Sequence, residues 1–122
     1  MPPRDLAAYV RDAVDAWRAV SEYAAGMELQ QFRADRRTRD AVERRPMIVG
    51  EAVGHIRRPD AGLAATLGPV ERIIAFRNIL AHGYFSVDDE TLWLIATKHA
   101  PALLSVAESI LATMPPPEWR AD

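Results

Sequence analysis

Four side chains suited to acid–base and phosphate chemistry lie within eight residues, at the end of an apolar stretch. They are Arg77, Asn78, His82 and Tyr84. An imidazole can accept or donate a proton near neutral pH. A guanidinium can hold the non-bridging oxygens of a phosphodiester and offset the charge that develops on them. Because the 2′-hydroxyl of RNA is an internal nucleophile, this set could cleave RNA without a metal ion.

The spacing of these residues limits how one helix can present them. Asn78 and His82 are four residues apart and share a helix face. Arg77 and His82 are five residues apart, which is about 140° around an ideal helix. One straight helix does not easily aim both side chains at one point. Either a turn at Gly83 brings His82 round, or two copies of the helix pair and combine their side chains.

Each of these residues also has a purely structural interpretation. Arg77 could form an ion pair with an acid such as Glu51, and His82 could interact with the C-terminal end of its helix. Asn78 could satisfy backbone groups, and Tyr84 could be an ordinary half-buried aromatic residue. Glu51 itself is expected to pack or to orient Arg77 rather than to take part directly in catalysis.

The composition excludes several kinds of site. The chain has 122 residues, three histidines and no cysteine, so disulfides and thiolate-bound metals are excluded. No apolar run approaches the length of a membrane span, and the first residues lack a signal-peptide core. We therefore expect a cytoplasmic protein without a metal site. His55 and His99 are expected to lie at the surface or at an interface.

The charge is unevenly distributed along the chain. The net charge is −2, which argues against blanket attraction to nucleic acid. Residues 33–58 nevertheless contain eight arginines and four acids, whereas residues 86–122 contain two basic and six acidic residues. The basic segment is either a solvated helix face or a patch that attracts phosphate.

The elements that would position these residues are all helical. Apolar residues recur at helical spacing, and no segment alternates as a strand would. We expect a single-domain, all-α bundle of four to five helices over residues 1–114, followed by a proline-rich tail, 115–122. Leu29 and Phe32 are assigned to a connection. Pro46 is expected to kink its helix or to mark the true start of that helix, and Pro101 is expected to cause a kink. The helices are predicted at 6–24, 35–56, 63–67, 69–83 and 88–114.

The string Arg77-Asn78 with His82-Gly83-Tyr84 matches the R-x4-H-x-Y motif of the HepT-like branch of the HEPN superfamily. The segment Ile48-Val49-Gly50-Glu51-Ala52 resembles the I-(I/V)-G-E-A signature of that family, on the preceding long helix. The resemblance covers roughly residues 4–112. Two details depart from the family pattern: Pro69-Val70 replaces Pro-Trp, and Lys98-His99-Ala100-Pro101 replaces an Asp before Leu-Pro.

The resemblance implies a homodimeric HEPN-type bundle in which the motif helices of two chains meet in a shared cleft. It implies the toxin half of a toxin–antitoxin pair, acting as a metal-independent endoribonuclease that leaves 2′,3′-cyclic phosphate ends. Arg77, His82 and Asn78 would be catalytic, with Glu51 in a supporting role. The RNA substrate could be tRNA or mRNA, and no cofactor is implied.

The resemblance also implies a protein partner, an antitoxin of the MntA nucleotidyltransferase type. That partner would transfer AMP from ATP to Tyr84, so ATP would be used by the antitoxin alone. A bulky anion beside Arg77 and His82 would block RNA by sterics and by like charge. The alternative is a non-catalytic helical module that binds a nucleotidyltransferase partner, nucleotide or both.

Overall fold

Helices account for most of the residues that the computed structural model describes, which are 5–82 and 87–115. No strand occurs within these two ranges, so the prediction of an all-α bundle is confirmed. The helices are α1 (Leu6–Ala24), α2 (Leu29–Ala34), α3 (Arg36–Arg57), α4 (Ala61–Thr66), α5 (Val70–His82), α6 (Asp89–Leu94) and α7 (Ala100–Ala112). A π-helical turn, Ile95–His99, joins α6 and α7 into one continuous helical stretch.

The core forms where α1 packs against α3 and α7. Most of the apolar residues of α1 are buried, and Trp17 is among them. Asp5 caps the start of α1 by accepting a hydrogen bond from the Ala8 backbone N–H (2.9 Å). Gly26 follows the end of the helix with a φ of +77°, a conformation that favours glycine. The largest fully buried side chains are Phe32, Ile56, Leu67, Val10, Val20, Val42, Val49 and Val53.

The segment predicted to be a connection is the short helix α2. Glu28 and Gln31 form a reciprocal capping box at its start, and the Glu28 backbone N–H donates to Gln31 Oε1 (2.8 Å). Phe32 from α2 is fully buried in the core. A local cap and one buried aromatic side chain are thus enough to make six residues helical.

The two internal prolines behave differently. α3 continues through Pro46, which is buried within it, so Pro46 does not mark the start of the helix. Ahead of Pro101 the helix instead widens into the π turn, in which the Ala100 N–H donates to the carbonyl of Ile95. Since proline has no N–H to give to the preceding turn, a local change of register is the expected response.

Part of the basic segment is paired with acids at the start of α6. Arg33 lies 3.2 Å from Glu90, and Arg39 lies 3.2 Å from Asp89. These pairs connect α2 and α3 to α6, which favours the interpretation of this stretch as a solvated, internally balanced face. No helix in the described part of the chain is both long and apolar enough to cross a lipid bilayer.

Candidate active site

Helix α5 carries three of the predicted site residues, Arg77, Asn78 and His82. Pro69 immediately precedes the helix, and its carbonyl accepts the Ile73 N–H (3.0 Å). α5 lies at the edge of the bundle, packed mainly against α3. Its side chains are therefore available to a ligand or to a second molecule.

A glycine on α3 lets Arg77 approach the neighbouring helix closely. A Cβ built on Gly50 would collide with the Cβ of Arg77 and lie 2.7 Å from its Cγ. It would also lie 3.4 Å from the backbone oxygen of Ile73. Gly50 is thus required by the packing of α3 against α5, and this contact fixes the base of the Arg77 side chain.

The guanidinium of Arg77 is held by two polar neighbours. Its Nη1 donates to Oδ1 of Asn78 (3.1 Å), and its Nη2 lies 3.8 Å from Oε1 of Glu51. The side chain is 37% exposed, while its Nε is buried without a hydrogen-bond partner. The structure therefore brings Glu51, Arg77 and Asn78 together, and it shows the ion pair that the sequence made possible.

His82 lies at the exposed C-terminal end of α5, five residues beyond Arg77. Tyr84, predicted as the modification site, and Gly83, predicted to end the helix, both lie outside the described residues. Within one chain, Arg77 and His82 thus still lie on different sides of α5, as their spacing predicted. Arg77 packs against α3, whereas His82 lies at the end of the helix.

A polar groove beside Arg77 was not predicted. A pocket of about 240 Å³ lies between α3 and α5. Gly50 was the signal in the sequence for a close approach of α3 and α5 there. The groove is lined by Gly50, Glu51, Gly54, His55, Arg57, Ile74 and Arg77.

A second, apolar groove runs along the other side of α5. Its volume is about 360 Å³, and Trp17 and Phe76 are among its lining residues. Phe76 is only partly buried and lies on this groove. Trp17, in contrast, is buried.

Comparison with known proteins identifies the family of this chain. Residues 14–110 match the family described as ribonuclease HepT-like. The chain belongs to the HepT-like ribonuclease family. This confirms the resemblance drawn from the motif.

Similar proteins come from archaea and match along most of their length. Two candidate RNases of Methanocaldococcus jannaschii are 28% identical over 110 residues and 29% identical over 111 residues. These matches cover 90% of this chain and 100% of the first relative, and 91% of this chain and 91% of the second. A protein of Thermococcus cleftensis assigned as ribonuclease HepT is 28% identical over 102 residues, 84% of this chain and 92% of that protein. No solved structure is significantly similar to the chain.

Proposed function

We propose that this chain is a metal-independent endoribonuclease. The observation that carries the proposal is the packing of Arg77 against Gly50 and Glu51, on the same helix as His82, in a chain of the HepT-like ribonuclease family. In the proposed reaction the 2′-oxygen of RNA attacks the adjacent phosphorus and the bond to the 5′-oxygen breaks. The products are a 2′,3′-cyclic phosphate and a 5′-hydroxyl.

Each side chain has a defined role in this reaction. His82 takes the proton from the 2′-hydroxyl, and the imidazolium so formed, or that of His82 in the second copy, gives a proton to the departing 5′-oxygen. Arg77 donates hydrogen bonds to the non-bridging oxygens and offsets their developing charge. Asn78 and Glu51 hold the guanidinium of Arg77 in place through the contacts described above.

The proposed active unit is a homodimer. α5 exposes apolar surface, and Ile79, between the site residues, is 44% exposed. Pairing two copies of α5 would cover this surface and place His82 of one chain near Arg77 of the other. In a shared cleft of this kind, Arg77 of one chain and His82 of the other can contact one substrate without a bend in α5.

The proposed regulation is AMPylation by a nucleotidyltransferase antitoxin of the MntA type, within a cytoplasmic toxin–antitoxin pair. The phenolic oxygen of Tyr84 would attack the α-phosphorus of ATP bound by the antitoxin, and pyrophosphate would leave. The added phosphate would place negative charge two residues from His82 and exclude the RNA phosphate. The toxin needs no ATP of its own.

The test is RNA cleavage in EDTA by protein that intact mass shows to be unmodified. Replacing His82 with alanine should lower the rate by about 10²- to 10⁴-fold, the usual loss on removing a general acid or base. His99→Ala is the matched control, because His99 is also exposed but lies on the π turn. If the wild type leaves RNA intact beside an active nuclease control, the proposal is wrong. The alternative of a non-catalytic, partner-binding module then gains weight, which the internally paired arginines also favour.

A further inference from the structure

The polar groove between α3 and α5 contains residues that the proposed reaction does not use. Arg77 and Glu51 form one end of it. Gly54, His55 and Arg57 line the remainder, along the last turns of α3. A ligand group in this groove would therefore lie directly beside the proposed catalytic arginine.

Gly54 keeps the groove open, unlike Gly50, whose missing side chain is required by packing. A Cβ built on Gly54 would meet no other atom within 4 Å. Glycine inside a helix is less favourable than alanine, and no neighbouring atom explains its presence here. The gap gives a ligand access to the backbone surface of α3.

The two remaining polar residues of the groove are Arg57, which carries a charge, and His55, which has a planar ring. Arg57 lies 3.7 Å from Glu71, whose side chain is 90% exposed. An exposed pair of this kind is weak, so a phosphate can replace the carboxylate at little cost. The ring of His55 stacks on Tyr9 with centroids 4.9 Å apart and planes 12° apart. His55 is itself exposed and lines the groove, so its side chain is accessible to another planar group.

We propose that this groove binds the nucleotide next to the scissile phosphate of single-stranded RNA. Arg57 donates hydrogen bonds to that nucleotide's phosphate, and the imidazole of His55 stacks on its base. A cation beside an aromatic platform is the arrangement that single-stranded nucleic acids favour. The inference rests on the proposed function, because it makes the groove a subsite of the RNase. His55, which the sequence placed only at a surface or interface, becomes an RNA-binding residue.

Binding is measured separately from cleavage, by fluorescence anisotropy with a labelled 2′-O-methyl oligonucleotide. Arg57→Ala should raise the Kd about tenfold and reduce the slope of log K against log salt by about 0.7, the value for one phosphate contact on a single strand. Arg58→Ala removes the same charge from the next residue, which does not line the groove. It should leave both quantities close to those of the wild type.

Filling the groove is the second test. Gly54→Glu should raise the KM for a short RNA at least tenfold and change kcat less than threefold. Gly62→Glu on α4 adds the same side chain at an exposed position outside the groove and should change neither.

The outcomes distinguish the two proposals. If Arg57→Ala and Arg58→Ala bind equally, or if the wild type does not bind the oligonucleotide, the groove is not an RNA subsite. If the wild type binds through Arg57 but never cleaves, the subsite stands as a binding site and the proposed catalysis fails. If it cleaves while Gly54→Glu keeps the wild-type KM, the subsite fails and the catalysis stands.

Discussion

At the scale of single residues, the position of Arg77 depends on the absence of a side chain at Gly50. The side chain of Arg77 begins where a Cβ on Gly50 would be, and its guanidinium then reaches Glu51 and Asn78. A signature glycine beside a signature acid is thus explained by geometry. Gly50 leaves room for the side chain of Arg77, and the carboxylate of Glu51 pairs with its guanidinium.

Gly50→Ala should therefore destabilise the protein by about 1–3 kcal/mol, because the new methyl group overlaps Arg77 and α5 must shift. Gly54→Ala is the matched control on the same face of α3. Its methyl group meets no atom within 4 Å, so it should stabilise the fold by about 0.5–1 kcal/mol. Urea denaturation measures both changes. Equal effects of the two substitutions would contradict the close approach at Gly50.

The sequence predicted the helix that carries the candidate site residues better than it predicted the packing around them. The spacing of Arg77, Asn78 and His82 placed them on one helix, and the structure agrees. The closeness of α3 to α5 depends on tertiary packing, which no local pattern contains. The groove with His55 and Arg57 was missed for that reason. The roles of the site residues stay predictions.

At the scale of elements, the helix starts depend on aspartate caps. The backbone N–H of Thr38 donates to Asp35 (3.0 Å), and that of Thr91 donates to Asp88 (2.8 Å). These backbone hydrogen bonds, aided by the threonine hydroxyls, lower the pKa of both carboxyl groups below the usual 3.8. The ionised caps therefore stabilise α3 and α6, the helices that meet through Arg39 and Asp89.

The two caps make stability depend on pH in a definite direction. Because the pKa of each carboxyl group is lower in the folded state, its contribution is complete above about pH 4 and is lost as the pH falls further. Replacing Asp35 and Asp88 with asparagine keeps a capping oxygen but removes the titration. The double variant should lose less Tm than the wild type between about pH 5 and pH 3. Asp40→Asn, within α3, is the charge control, and an unchanged acid slope in the double variant would contradict the prediction.

The elements were predictable where local signals decide them. The helix predicted from residue 88 does start there, with Asp88 as its cap, and α1 ends at Ala24 as expected. α2 was missed because six residues are too few for a clear apolar period, so its helicity depends on its cap and on burying Phe32. The effect of Pro101 was expected as a kink and takes the form of a π turn.

At the scale of the whole molecule, the pattern of apolar residues predicts the all-α bundle. It does not predict whether two copies of the chain associate. α5 has one buried residue, Leu80, although several of its other residues are apolar. The exposed side of α5 agrees with the proposed contact between two copies. The homodimer remains a prediction.

Ile79→Glu should convert the dimer to monomers and abolish RNA cleavage, because a carboxylate would be buried in the contact between two α5 helices. Val106→Glu on α7 is the matched control, since Val106 is 43% exposed and Ile79 is 44% exposed. Sedimentation velocity measures the mass, and circular dichroism checks that both variants are folded. A monomeric wild type, or dissociation by both substitutions alike, would contradict the proposed interface.

The central claim is that Arg77 and His82 cleave RNA by making its own 2′-hydroxyl the nucleophile. The most direct measurement uses an RNA oligonucleotide with one 2′-deoxy nucleotide at the mapped cleavage position, incubated with the unmodified protein in EDTA. We expect the all-ribose oligonucleotide to be cut to a 2′,3′-cyclic phosphate and a 5′-hydroxyl, and the substituted one to stay intact at that position. Cleavage at the deoxy position, or products with a 5′-phosphate, would contradict the mechanism.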